Sequence, residues 1–109
     1  MTQNAAKLSD MVSSFGENTL HCPACDGFCL HQGRTEIFNR GEDAIKGTHV
    51  VVEGDNVQTN RDLVGNPSRC RHGLTINFTS ENCPADVQMH VYQHKGNTFV
   101  GMEYQDGEA

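Results

Sequence analysis

From Thr19 onward the hydrophobic positions of this chain recur with a period of two. Phe28 and Leu30 interleave with Cys29 and His31, and Thr35, Ile37 and Phe38 carry a β-prone run as far as Arg40. Gly41-Glu42-Asp43 then turns the chain. Thr48-His49-Val50-Val51-Val52-Glu53 predicts a strand, and Gly54-Asp55-Asn56 ahead of Val57-Gln58-Thr59 supplies the residues of a tight hairpin loop. Arg61 to Arg71 has no periodicity and gathers Gly65, Asn66, Pro67 and Ser68, so a long loop is expected there. Leu74, Ile76 and Phe78 alternate with polar residues in a strand that runs toward Cys83. Val87, Met89 and Val91 mark another, and the turn His94-Lys95-Gly96-Asn97 leads into a last strand from Thr98 to Tyr104.

The N-terminus departs from this rhythm. Ala5, Leu8, Met11, Val12 and Phe15 recur at three- and four-residue spacing, with Gly16 as a possible C-cap, which predicts a short amphipathic helix. Ser13 and Ser14 are poor interior helix residues and chain ends fray, so a disordered arm is the competing expectation. The pattern as a whole predicts a mainly β protein. A helix or arm occupies 1–18, a small antiparallel β-domain 19–104, and a loose acidic tail 105–109.

Composition limits what such a domain can bury. The chain has 109 residues, of which 36% are apolar and 6% aromatic, with no Trp and 11 glycines. A core of that kind leaves little margin over chain entropy, and a cross-link would help. Five cysteines are present, an odd number that cannot all pair in disulfides within one chain. No stretch of about 18 apolar residues could span a bilayer, and the first fifteen residues lack a basic start and apolar run, so an intracellular protein is expected. In that compartment metal ligation is the better use for the thiols. The net charge of −6 argues against phosphate-backbone binding driven by overall charge.

Two places carry the metal chemistry. Cys22-Pro23-Ala24-Cys25 sets two thiols three positions apart with Pro and a following Gly27 to fold the backbone, the form of a zinc knuckle. Cys83-Pro84-Ala85-Asp86 echoes it with a carboxylate in the last place, so Cys22, Cys25, Cys83 and Asp86 form a candidate tetrahedral Zn2+ site. Cys29 is the alternative fourth ligand, and a histidine ranks third. In the other register, Ser80-Glu81-Asn82-Cys83, a neutral serine stands where a thiol would be expected and makes a poor ligand. An iron–sulfur cluster would need spacings that fit neither common ferredoxin pattern, and a redox CxxC would need a βαβ context that the pattern lacks.

The remaining polar residues say less. Arg61, Arg69, Arg71 and His72 bracket the Asn66-Pro67-Ser68 loop and form a candidate partner-binding patch. From Arg34 to Arg71 six acids balance six bases, which favours a solvated loop over a nucleic-acid face. The aromatics fall mostly at strand positions expected to face the core. The six histidines are scattered, and Cys70, flanked by Arg69 and Arg71, has no assigned task.

Cys22-Pro-Ala-Cys25, the Arg40-Gly-Glu-Asp-Ala44 turn, the Asn66-Pro-Ser68 loop and Gln93-His-Lys-Gly-Asn-Thr98 together resemble small zinc-ribbon-like proteins of unassigned function encoded by bacteriophages and prophages. The resemblance covers about Leu20 to Met102. In those proteins the second knuckle looks like a full cysteine pair aligned with Ser80 and Cys83, and this chain departs from it at Ser80. The resemblance implies a ribbon fold, zinc and a viral or mobile-element origin, but no reaction. With the residues, it gives the expectation of a non-enzymatic zinc-ribbon module that binds a protein partner through its sheet edge or the loop from Arg61 to His72. The alternatives are a capsid-associated or decoration component of a phage particle and a nucleic-acid-binding ribbon. The enzymatic alternative is a zinc hydrolase, with three thiolates, an open position for water and Glu81 as general base.

Overall fold

The computed structural model describes residues 2–5, 7–12 and 18–105, and all its regular elements there are strands. They are β1 (Thr2–Ala5), β2 (Lys7–Val12), β3 (Asn18–His21), β4 (Leu30–Asn39), β5 (Thr48–Glu53), β6 (Asn56–Asn60), β7 (Gly73–Ser80), β8 (Asp86–His94) and β9 (Asn97–Gln105). Seven of them form one sheet in the order β1-β9-β8-β7-β4-β5-β6, while β2 and β3 pair separately. All pairings are antiparallel. The mainly β expectation holds, and each strand foreseen between Arg34 and Tyr104 is present. The predicted hairpin is β5–β6, closed at Gly54-Asp55 with Glu53 opposite Asn56. The other is β8–β9, where Lys95 and Gly96 both take positive φ, 50° and 81°, as a type I′ turn requires.

The helix expected over Ala5 to Phe15 is not formed by the described residues of that stretch. β1 adds to the edge of β9, and β2 pairs with β3 in a register that sets Leu8 opposite Leu20. Ser9 and Asp10 favour neither helix nor strand strongly, so an available strand partner decides the outcome over a weak local preference. The alternative of an arm, residues 13–17 with Gly16, and the acidic tail beyond Gln105 lie outside the described residues.

The registers sort side chains onto two faces. One face is apolar. Tyr104, Val87 and Phe78 lie in one row, and Met102, Met89 and Ile76 in the next. Cys22, Ala85, Val87 and Met102 are buried together there, with Leu20, Ala24, Leu30 and Cys83 packed around them. The opposite face carries Phe38, His49, Val51, Thr75 and His90, all buried. His49 stacks on Phe38 at 4.2 Å, and its two ring nitrogens meet Asn60 Oδ1 at 3.1 Å and Glu36 Oε1 at 3.0 Å.

The long loop 61–72 crosses this second face and is held by hydrogen bonds at almost every step. The Ser68 hydroxyl, 4% exposed, donates to the Gln93 carbonyl at 2.6 Å and accepts the Arg71 and Cys70 amides at 2.9 and 3.3 Å. Asn66 takes the Ser68 amide on Oδ1 and donates to the Arg71 carbonyl. Arg40 donates from Nη1 to the Arg69 carbonyl and from Nε to the Ala44 carbonyl. Gly73 has no side chain because a Cβ there would run into Asn66 Oδ1 and the Pro67 ring. Ser68→Ala would strand a buried carbonyl and two amides at once, so a loss of about 2 kcal/mol is expected in denaturant unfolding, with an unchanged m-value. A loss within error would mean that water replaces the hydroxyl without cost.

Candidate metal centre

The site is built where two strand connections meet at one end of the apolar face. In the first, between β3 and β4, Pro23 fixes the backbone after Cys22 and the turn closes twice. The Cys22 amide donates to the Gly27 carbonyl at 2.6 Å, and the Asp26 amide donates to the Cys22 carbonyl at 2.9 Å. Asp26 takes φ of 64°, tolerable for a residue whose side chain bonds locally, and it also meets His21 Nδ1. The second connection joins β7 to β8 and is capped by the Ser80 hydroxyl, which accepts the Asn82 amide at 3.2 Å. The two are tied by the Glu81 amide donating to the Cys29 carbonyl at 3.0 Å. At Gly27 they come so close that a Cβ would overlap the Asn82 side chain.

This brings Cys22, Cys25 and Cys83 together, with their sulfurs all within 4.8 Å of one another, a cluster that could hold a metal ion. Cys22 Sγ and Cys83 Sγ are 3.8 Å apart. Tetrahedral zinc with Zn–S bonds of about 2.3 Å puts its sulfurs about 3.8 Å apart. Cys25 Sγ lies 3.7 Å from Ser80 Oγ, against about 3.6 Å for an S···O edge of the same tetrahedron. Cys22 is fully buried in the core, Cys83 half-buried and Cys25 exposed, so the cluster has an inner wall and a solvent side.

Its electrostatics already favour one thiolate. The Gly27 amide, then the Ser80 hydroxyl and the Cys83 and Cys22 thiols, point hydrogen bonds at Cys25 and bring its pKa down to about 7. The Ala85 amide by itself lowers Cys83, but burial and its hydrogen bonds toward Cys25 and Cys22 leave that thiol above its ordinary value. Cys25 is thus the thiol of the three most readily ionised, and its neighbours act as hydrogen-bond donors to it.

Asp86, expected as the fourth ligand, stands apart from the cluster. Ala85 and Val87 are buried beside Cys22, and the strand period sends Asp86 between them to the exposed side. Cys29 is also outside the cluster. Burial raises its pKa and so does the Glu81 carboxylate that it hydrogen-bonds. The oxygen that stands beside the cluster is Ser80 Oγ, next to Cys25 Sγ, in the register in which the second connection copies the first knuckle. Glu81 turns to His31, whose Nε2 lies 2.7 Å from Oε1, and that hydrogen bond is the main reason its pKa is lowered.

The four residues of the expected partner-binding patch differ in their surroundings. Arg61 is exposed, and Arg71 pairs with Glu42 at 3.5 Å. His72 Nδ1 accepts the Arg40 amide at 2.8 Å, and Arg69 turns toward the sheet. Cys70 Sγ lies 3.5 Å from His94 Nδ1. Phe38 is buried, as expected of the aromatics, whereas Phe28 and Phe99 are exposed. Among the described residues no helix is long and apolar enough to cross a membrane.

Comparison with protein-family models, curated proteins and solved structures finds no match for this chain. The reading of the site therefore rests on its own chemistry.

Proposed function

We propose that the protein is a zinc-binding module in which Cys22, Cys25 and Cys83 ligate the ion, with the Ser80 oxygen or an exchangeable donor in the fourth position. The observation that carries this is the tetrahedral spacing of thiols drawn from connections 61 residues apart. Soft donors with one oxygen corner suit zinc, and a zinc ion would cross-link a sheet in which few of the described side chains are fully buried. In this reading the metal is structural, it fastens two connections that meet at one end of the sheet, and the protein presents its sheet to a protein partner. Support for a protein partner comes from β6, an edge strand whose five residues are all exposed and whose outer backbone is free to pair with an added strand. A zinc-ribbon likeness and phage origin belong to the same proposal and rest on the sequence resemblance, while a structural place in a phage particle is the alternative to it.

Native mass spectrometry of the purified chain tests it. One zinc per chain is expected, and none in Cys25→Ser, whose exposed position leaves the core untouched. Wild-type protein that stays metal-free when supplied with excess zinc would refute the reading.

A further inference from the structure

Under the 61–72 loop, along one face of the β8–β9 hairpin, lies a cavity of about 610 Å³, within the size range of small-ligand sites. It shares no lining residue with the cysteine cluster. Its chemistry is mixed in an ordered way. Tyr92 and Phe99, opposite each other on β8 and β9, stack at 5.5 Å with 25° between their planes and form an aromatic wall. Arg69 also lines the space; its backbone carbonyl is held by Arg40, and the residue is exposed and takes part in none of the ion pairs among the described residues. Gln88 and Glu103, opposed in the same register, bring an amide and a carboxylate.

His90 also lines this space and has 10% of its side chain exposed. Its Nδ1 is engaged by the Thr75 hydroxyl at 2.8 Å. Its Nε2 is buried without a hydrogen-bond partner, since Glu103 Oε1, 3.3 Å away, lies off the direction that a hydrogen bond needs. The set is complementary to a flat ring with nitrogen at its edge and one negative group. The ring stacks on the aromatic wall, its polar edge meets Glu103 and Gln88, and the anion pairs with Arg69.

We propose that this cavity binds a small nitrogen-heteroaromatic anion, either a heteroaryl carboxylate or a nucleoside monophosphate. The loop then serves as the fixed roof of a ligand site that uses none of the cluster's cysteines.

The test is NMR titration of the full-length, zinc-supplemented chain with nicotinate and with the monophosphates AMP, GMP, CMP and UMP, each beside its uncharged counterpart, nicotinamide or the nucleoside. At least one anion is expected to give saturable shifts at His90 and Phe99 and to bind about tenfold or more tightly than its uncharged counterpart, the equivalent of one charge-assisted hydrogen bond. Which anions bind separates the carboxylate source from the phosphate source. Arg69→Gln should lose that preference, Phe99→Ala should weaken charged and uncharged probes alike, and Lys46→Gln, on a distant loop, should change neither. No saturable binding by any of the probes would overturn the proposal, as would equal binding of charged and uncharged members or a preference that survives Arg69→Gln.

Discussion

Stripping zinc from the protein is expected to unfold it. The free energy of a structural zinc site is folding free energy, and at about 10–16 kcal/mol it matches or exceeds the 5–15 kcal/mol that typically separates native from unfolded states. Here the ion would join the β3–β4 connection to the β7–β8 connection on top of a cluster with only four buried side chains, one of them the ligand Cys22. Circular dichroism on addition of a strong chelator should therefore show loss of strand signal in one cooperative step, and returning zinc should restore it. The two cysteines of the first knuckle should differ in a telling way. Cys25→Ser removes a ligand from the solvent side, whereas Cys22→Ser also puts a hydroxyl into a fully buried position, and its unpartnered polar group adds about 1–3 kcal/mol to the loss. Chelator-treated protein that keeps its wild-type melting transition would remove the structural role, whatever the ion content.

Replacing Ser80 with cysteine is expected to tighten zinc binding by up to ~100-fold, since an even share of a four-ligand site is roughly 3 kcal/mol. The argument is geometric. Ser80 Oγ already stands 3.7 Å from Cys25 Sγ, and the Asn82 amide that it accepts holds the second knuckle in the shape a thiolate would need. Competition against a chromogenic zinc chelator measures the change directly. The same variant separates the structural and hydrolytic readings. Closing the fourth corner should leave a structural module intact or more stable, but it would silence any chemistry that needs water on the metal. An Ser80→Cys protein with unaltered zinc affinity would place the fourth ligand elsewhere.

These experiments follow from a site that was half legible in the sequence. Alternation fixed the strands from Arg34 to Tyr104 and the Gly54-Asp55 hairpin, because a half-buried strand needs apolar residues at every second position and a tight turn needs residues that tolerate positive φ. The Cys22-Pro-Ala-Cys25 knuckle was legible for a similar reason, its chemistry being contained within a few neighbouring residues. The N-terminal stretch misled because a three- and four-residue spacing in a short segment is a weak preference, and pairing of β1 with β9 and β2 with β3 overrides it. The fourth corner was a question of which side of a strand faces the sulfurs. The repeated Cys-Pro-Ala favoured Asp86, but burial of Ala85 and Val87 in the core turns Asp86 outward and leaves Ser80 beside Cys25.

The loop and the cavity beneath it belong wholly to tertiary structure. Asn66, Pro67 and Ser68 announced a loop, yet nothing local says that Ser68 will be buried on the Gln93 carbonyl or that Arg40, 29 residues before Arg69, will hold its backbone. His90 and Glu103 meet because a hairpin sets β8 against β9, and Arg69 reaches them because the loop folds over that face. By itself the sequence determined the strands from Arg34 to Tyr104 and one knuckle, both properties of neighbouring residues. The three-sulfur cluster, its oxygen corner and the roofed cavity were decided by long-range register, because each draws on side chains from chain segments that only the folded sheet brings within reach.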